Sequence, residues 1–191
     1  MAFIALATGF VLAESVLSRR ADPALREHTA CTWPSYAAGP LLYLIFAASA
    51  LGCLRAAPPT QALGLAAGAS LMTAGIGIRS AALQTLGPMF RNHVAVVERH
   101  RLIDTGIYAI VRHPSELGLL LIALGAPILL SSTVGFALAC VLIPVSLARI
   151  ALEDGLLRTT FPDRFADYKR TTPALIPRLS FSRPRLTGIP R

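Results

Sequence analysis

Two apolar runs, about Glu116–Leu130 and Thr133–Leu152, are separated by only Ser131-Ser132. A break that short leaves a chain little choice but to turn back on itself as a tight helical hairpin. Three more apolar runs precede the pair, at about Ala2–Leu17, Tyr36–Leu54 and Gln61–Leu83. A membrane-crossing helix needs about 20 residues, with 17 near the lower limit, so the first and fourth runs are short. Hydrophobic residues make up 54% of the 191-residue chain and charged residues only 15%, against about a quarter charged in a soluble domain. Mean hydropathy is +0.60. The expected fold is therefore all-α: a polytopic integral membrane protein of about five transmembrane helices, with a helical hairpin in its C-terminal half. An alternative for the first run is a signal peptide, but it lacks a basic start and carries Arg19-Arg20 on its far side.

The arginines predict an orientation. Arg19, Arg20 and Arg26 lie between the first two runs, whereas only Arg55 lies between the second and third, and the 131–132 turn has no charge. Arg91, Arg99, Arg101 and Arg112 precede the fourth run, and a basic tail follows Leu157. With the N-terminus outside and the C-terminus inside, the basic segments fall on the cytoplasmic face. Residues 84–114 and the tail from Gly155 then share that face. The net charge of +8 has this topological explanation, and no basic helix or aromatic-interleaved patch suggests nucleic acid. Cys31, Cys53 and Cys140 form no CxxC pair, and the histidine spacings match no familiar metal site.

Residues 102–118, LIDTGIYAIVRHPSELG, concentrate titratable groups where an apolar run begins. Pro114 suits the first turn of a helix, and Ser115 and Glu116 suit the same turn by hydrogen bonding and by charge. A purely structural helix start does not explain Tyr108, Arg112, His113 and Glu116 within nine residues beside lipid, where polar groups are costly unless paired or hydrated. A helix N-terminus also offers N–H groups to an anion. Arg149 and Glu153 are four apart near the end of the fifth run, within reach of a salt bridge on one helix face. A snorkelling arginine with a stabilising partner and a functional pair both fit that spacing. Arg79 reads as a positive-inside anchor, the glycines near it as close-packing positions, and Glu14 as an interface residue.

From Arg79 to Pro177 the chain resembles the isoprenylcysteine carboxyl methyltransferase family of integral membrane enzymes, together with the related phospholipid methyltransferases. The matching pieces are Arg79 with Thr85-Leu86-Gly87 and Phe90, then His100-Arg101-Leu102-Ile103, then Thr105-Gly106-x-Tyr108-x-x-Val111-Arg112-His113-Pro114 and Gly118. Farther on come Arg149-Ile150-x-x-Glu153-Asp154-x-x-Leu157, Phe161-x-Asp163-x-Phe165-x-x-Tyr168 and Pro173-x-x-Ile176-Pro177. Each piece alone is weak; their order and spacing together are specific. Residues 1–83 match only as generic membrane helices, 84–177 form the methyltransferase-like core, and 178–191 read as a flexible basic tail.

The resemblance implies S-adenosylmethionine as methyl donor in a cytoplasm-facing pocket, and a lipophilic or lipid-modified acceptor entering from the bilayer. The family's cofactor-binding positions fall on His100, Arg101, Leu102, Ile103, Tyr108, His113, Pro114, Ser115, Glu116 and Glu153. The position that holds the acceptor falls on Arg149, which with Glu153 is the expected catalytic pair. No metal is implied. The sequence departs from the family's usual pattern at Glu116, where Tyr is usual, at Asp154 in place of Glu, at Pro162 in place of Gly, and at Phe165 in place of Tyr. Glu116 opens a second reading, an amine acceptor with a carboxylate as base. Methylation of an aminolipid or of a hydrophobic thiol, and a non-catalytic membrane scaffold, are the alternatives to a carboxylate acceptor.

Overall fold

A computed structural model describes residues 1–18, 27–29, 33–55, 62–90, 95–97 and 102–177. Five helices form the bundle: α1 (Ala2–Ser18), α2 (Trp33–Arg55), α3 (Ala62–Leu86), α4 (Pro114–Leu129) and α5 (Thr133–Thr160). A short helix, α6 (Pro162–Thr171), follows α5. The tail motif is thus helical, with Pro162 in its first turn and Lys169 and Arg170 in its last, as helix ends prefer. Two three-residue strands, β1 (Glu27–Thr29) and β2 (Ala95–Val97), pair antiparallel across two connecting segments.

By length and composition, Ala62–Met89 and Thr133–Thr160 are each sufficient to cross a membrane, while Ala2–Leu17, Tyr36–Gly52 and Pro114–Leu129 are shorter apolar helices. Only 17% of the most apolar window of the first of these helices is buried, and 33% of the second. The core helix of a soluble protein would be mostly enclosed. Here Ile4, Leu12, Tyr43, Leu44, Leu63, Val134, Phe136 and Leu147 all point outward, which suits hydrocarbon rather than water.

The hairpin turn is decided by backbone hydrogen bonds. Ser132 N donates to Pro127 O at 2.9 Å and Ser131 N to Ile128 O at 3.3 Å, the paired bonds of a helix-ending Schellman turn. Ser131 sits at φ +53°, where glycine is the usual occupant. Ser132 then caps α5, its Oγ accepting from Gly135 N at 3.1 Å.

Helices α3 and α4 pack backbone against backbone. A side-chain carbon placed on Gly75 would lie 2.7 Å from Gly118 O, and one on Gly118 would lie 2.7 Å from Gly75 O. One on Gly125 would lie 2.8 Å from Gly68 O. The two glycine pairs are one seven-residue repeat apart on both helices, so small residues recur on one face of each. Around this seam Ile45, Met72, Ile122, Ala126 and Leu142 form the dry core. Gly77, one of the glycines expected to allow close approach, meets nothing within 4 Å. The α3–α4 seam fixes the start of α4, and with it the polar residues at that end.

Candidate active site

Residues 102–113 lead into α4 through a 3-10 turn at Gly106–Ala109. Gly106 has φ +61°, a conformation that a larger residue would resist. The segment is clamped from the other side by the end of α6. Arg112 N donates to Pro173 O at 2.8 Å and His113 N to Ala174 O at 3.0 Å. Tyr168 Oη donates to Tyr108 O at 2.6 Å. Both tyrosines are buried, and burial pushes the phenols of Tyr108 and Tyr168 up, so both stay protonated.

Beneath that clamp lies a knot of charge. Arg112 donates to Thr172 O at 2.6 Å and meets Asp154 Oδ2 at 3.1 Å. His113 Nε2 faces Asp154 Oδ1 at 2.9 Å, and Nδ1 faces Glu153 Oε2 at 3.2 Å. Lys169 Nζ reaches Asp154 at 3.4 Å. Burial opposes a charge on His113, but the Glu153 and Asp154 carboxylates outweigh it and hold its pKa at about 9. The imidazolium therefore donates from both nitrogens at neutral pH. The Glu153 side chain is still 43% exposed, so its carboxylate has an open side.

A second group lies deeper. Arg79 Nε and Nη2 grip Glu14 Oε2 and Oε1 at 2.8 and 2.6 Å. Its Nη1 donates to Ser115 Oγ at 2.8 Å and to Ser115 O at 3.2 Å. Arg79, read from sequence as an interfacial anchor, instead ties α1 to the first turn of α4. Arg149 Nε donates to Glu116 Oε1 at 3.0 Å, so the carboxylate at this nitrogen comes from α4 rather than from the i+4 position of its own helix. Arg149 Nη1 is 3.5 Å from Pro34 O at the start of α2. Between α1, α2, α3, α4 and α5 these side chains line a cavity of about 280 Å³. Glu14, Arg79, Glu116 and Arg149 supply its charged wall, and Phe10, Leu42 and Leu119 part of its apolar wall.

The elbow from Tyr108 to Glu116 and the Arg149–Glu153 turn of α5 are thus adjacent, joined by His113–Glu153 and by Glu116–Arg149. Leu102 packs with Phe165 and Tyr168, Ile103 is half-buried, and Pro114 is buried. His100 and Arg101 lie outside the described residues. Glu14 and Arg112 were not among the site residues expected from sequence. The signal for Glu14 was an acid alone in an apolar run, with no hint of a partner 65 residues away.

Among the described residues, three buried polar side-chain atoms have no hydrogen-bond partner: Arg112 Nε, Glu116 Oε2 and Ser146 Oγ. A buried carboxylate oxygen without a donor is costly. The α4 N-terminus adds a second capacity, since its N-cap, His113, makes no side-chain cap hydrogen bond.

About half of the chain matches known proteins. Residues 68–159, from the glycine seam to the end of α5, match the isoprenylcysteine carboxyl methyltransferase (ICMT) family. The protein-S-isoprenylcysteine O-methyltransferase of Schizosaccharomyces pombe is 36% identical over 104 residues, covering 52% of this chain and 44% of that one. The cobalt-zinc-cadmium resistance protein CzcN of Cupriavidus metallidurans is 34% identical over 112 residues, 56% of this chain and 50% of that one. The chain spans about half the length of the relatives it matches. In three dimensions it resembles the eukaryotic intramembrane Ras methyltransferase ICMT, with TM-score 0.60, 20% identity, and coverage of 93% of this chain and 68% of that one. The stretch from Gly68 to Thr159 is thus similar to the isoprenylcysteine carboxyl methyltransferase family, and the helical bundle shares the fold of that solved structure.

Proposed function

We propose that this protein is an integral membrane methyltransferase that uses S-adenosylmethionine to esterify a lipophilic carboxylate. The observation that carries the reading is that Glu116, in the first turn of α4, and Arg149 line one cavity with apolar residues, while Glu153, one turn beyond Arg149, is held to the same elbow by His113. All five bundle helices cross the bilayer in this reading, with the N-terminus outside and the site facing the cytoplasm. The arginine distribution supports that orientation.

The residues present suit the cofactor. The uncapped backbone N–H groups at Ser115 and Glu116 would receive its carboxylate, and the open side of Glu153 its ammonium. Tyr108, held neutral by burial, would line the pocket. When bound, S-adenosylmethionine supplies an electrophilic methyl group on a sulfonium. An acceptor carboxylate is already nucleophilic and requires no base; it requires alignment and a dry site. Arg149 supplies the alignment, since a guanidinium can hold a carboxylate through two parallel N–H bonds. The carboxylate of Glu116 at Arg149 Nε keeps that fork oriented. His113, bound to both Glu153 and Asp154, fixes α5 against the elbow so that these groups stay in register.

Glu116 also supports a second reading, an amine acceptor, whose proton a buried carboxylate could take. Labelled-methyl transfer into a membrane lipid extract distinguishes the two, because esters are base-labile and methylamines are not. Arg149→Ala should lower transfer at least 100-fold while Arg149→Lys retains part of it. Equal activity in Arg149→Ala would remove this arginine from the mechanism. A non-catalytic scaffold would show no heat of S-adenosylmethionine binding by titration calorimetry.

A further inference from the structure

Two acids and two arginines face one cavity, and each acid already has its cation: Glu14 has Arg79, and Glu116 has Arg149. The Arg79 guanidinium is saturated. Its Nε and Nη2 donate to the two Glu14 oxygens, and its Nη1 donates to Ser115. Ser115 precedes Glu116 in the chain, and Glu116 Oε2 has no hydrogen-bond partner among the described residues. Arg79 is therefore a cation placed to capture that oxygen, and Glu14 keeps it occupied. The Arg79 side chain is only 12% exposed, so losing its counter-ion is costly. Without the Glu14 charge, the carboxylate remaining in the wall is Glu116.

Anchoring of α1 does not account for the Glu14–Arg79 pair. Phe3 and Phe10 meet Phe46 of α2 edge-on, with ring centroids 5.8 and 6.1 Å apart. Near the other end of α1, Leu17 joins Leu83 and Phe90 in an apolar cluster. Those contacts fasten the helix, and a buried ion pair adds little stability over apolar residues of similar volume. Glu14 also lies outside residues 68–159, the stretch similar to the isoprenylcysteine carboxyl methyltransferase family.

We propose that Glu14 is a positioning residue: by holding Arg79, it reserves the Glu116 carboxylate for Arg149. This deepens the reading given above and rests on it for the role of Arg149 toward the acceptor. When Glu14 is neutralised, Arg79 turns from Ser115 to Glu116 Oε2. Glu116 then divides its charge between two arginines, and the orientation of Arg149 relaxes.

The test is a double-mutant cycle on the full chain in detergent micelles, read as the unfolding midpoint. Glu116→Gln and Arg149→Gln together should lower the midpoint by less than the sum of their separate effects, because they share one ion pair. In a Glu14→Gln background that shortfall should shrink by roughly half or more, and a new one should appear between Glu116→Gln and Arg79→Gln. Glu14→Asp, which keeps the carboxylate, should restore the wild-type pattern. The same Glu116–Arg149 shortfall with and without the Glu14 charge, or none in the wild type, overturns the inference. If a double variant does not fold, the Arg149 Nε–Hε proton resonance replaces the cycle, assigned by its loss in Arg149→Lys. It should move in Glu14→Gln and return in Glu14→Asp, and a resonance unmoved in Glu14→Gln overturns the inference equally. Methyl transfer from labelled S-adenosylmethionine to N-acetyl-S-dodecyl-L-cysteine separates this proposal from the reading beneath it. Glu14→Gln should raise the KM for that acceptor about tenfold with kcat little changed. Partner exchange with an unchanged KM contradicts the role given to Arg149, and a wild type that transfers nothing contradicts the proposed reaction. Either result leaves the charge selection by Glu14 standing.

Discussion

Two groups of buried charge sit at the same end of the bundle and differ in how completely they are used. In the knot under α6, Asp154 meets Arg112, His113 and Lys169, and both imidazole nitrogens face carboxylates. Its unpartnered atom, Arg112 Nε, belongs to a guanidinium whose remaining nitrogens bind two carbonyls and a carboxylate. Around the cavity, by contrast, an unpartnered carboxylate oxygen belongs to a side chain that borders open volume. A saturated network rigidifies and specifies; a network with a gap is suited to complete itself on a ligand. The knot holds the elbow to α5, and the cavity is where chemistry has room.

Asp154→Asn tests that contrast most strongly. It removes the anion shared by three cations, and breaking a buried network of this kind costs about 3–5 kcal/mol. Thermal unfolding in micelles should fall steeply. An unchanged midpoint would mean that the knot does not hold the elbow to α5. Glu14→Gln, on the cavity side, removes the charge from one partner of a bidentate, largely buried pair, and a loss of about 2 kcal/mol is expected. Because Arg79 also holds Ser115, the same variant should loosen the start of α4, seen as faster amide exchange at residues 115–117.

Alkaline pH separates the groups without mutation. The folded pKa of His113 is raised from 6.5 to about 9 by its carboxylates. A raised pKa means that the stabilisation is fully present below about 6.5 and is lost as pH rises through about 9. The unfolding midpoint should therefore drop between those values, and His113→Gln should flatten the drop. The cavity pairs contain no imidazole, so a wild-type profile that is flat across this window would show that the knot does not carry the charge assigned to it. The smallest effect is expected away from both groups. Ser131→Gly relieves a left-handed backbone at φ +53°, worth about 1 kcal/mol of added stability, with binding unchanged.

Much of the bundle was legible in the chain itself. The two-serine break between apolar runs predicts the hairpin, and the structure turns at those residues, because a helix interrupted by so few residues can only reverse. The apolar runs locate the helix bodies, since burial and lipid exposure select the same residue types. Helix ends were less legible. The fifth run was expected to stop near Leu152, yet α5 continues to Thr160. Glu153 and Asp154 look like an end in hydropathy, but both remain helical with His113 and Arg112 as partners. The short helix α6 carries polar faces and so left no apolar run to read.

Sequence by itself determined the class of the molecule, the hairpin and the crowding of titratable groups at residues 108–116, because those depend on composition and local spacing. Pairing was decided only by the fold. Arg149 lies four residues from Glu153, yet its Nε meets Glu116 across the hairpin, and Arg79 finds Glu14 on the first helix. The physical reason is the glycine seam: with no side chain at Gly75 and Gly118, the two backbones approach until their carbonyls touch the opposing glycines. That approach sets the start of α4 beside both arginines. A charge chooses its partner by distance and dielectric, and both are properties of the packed bundle rather than of the chain.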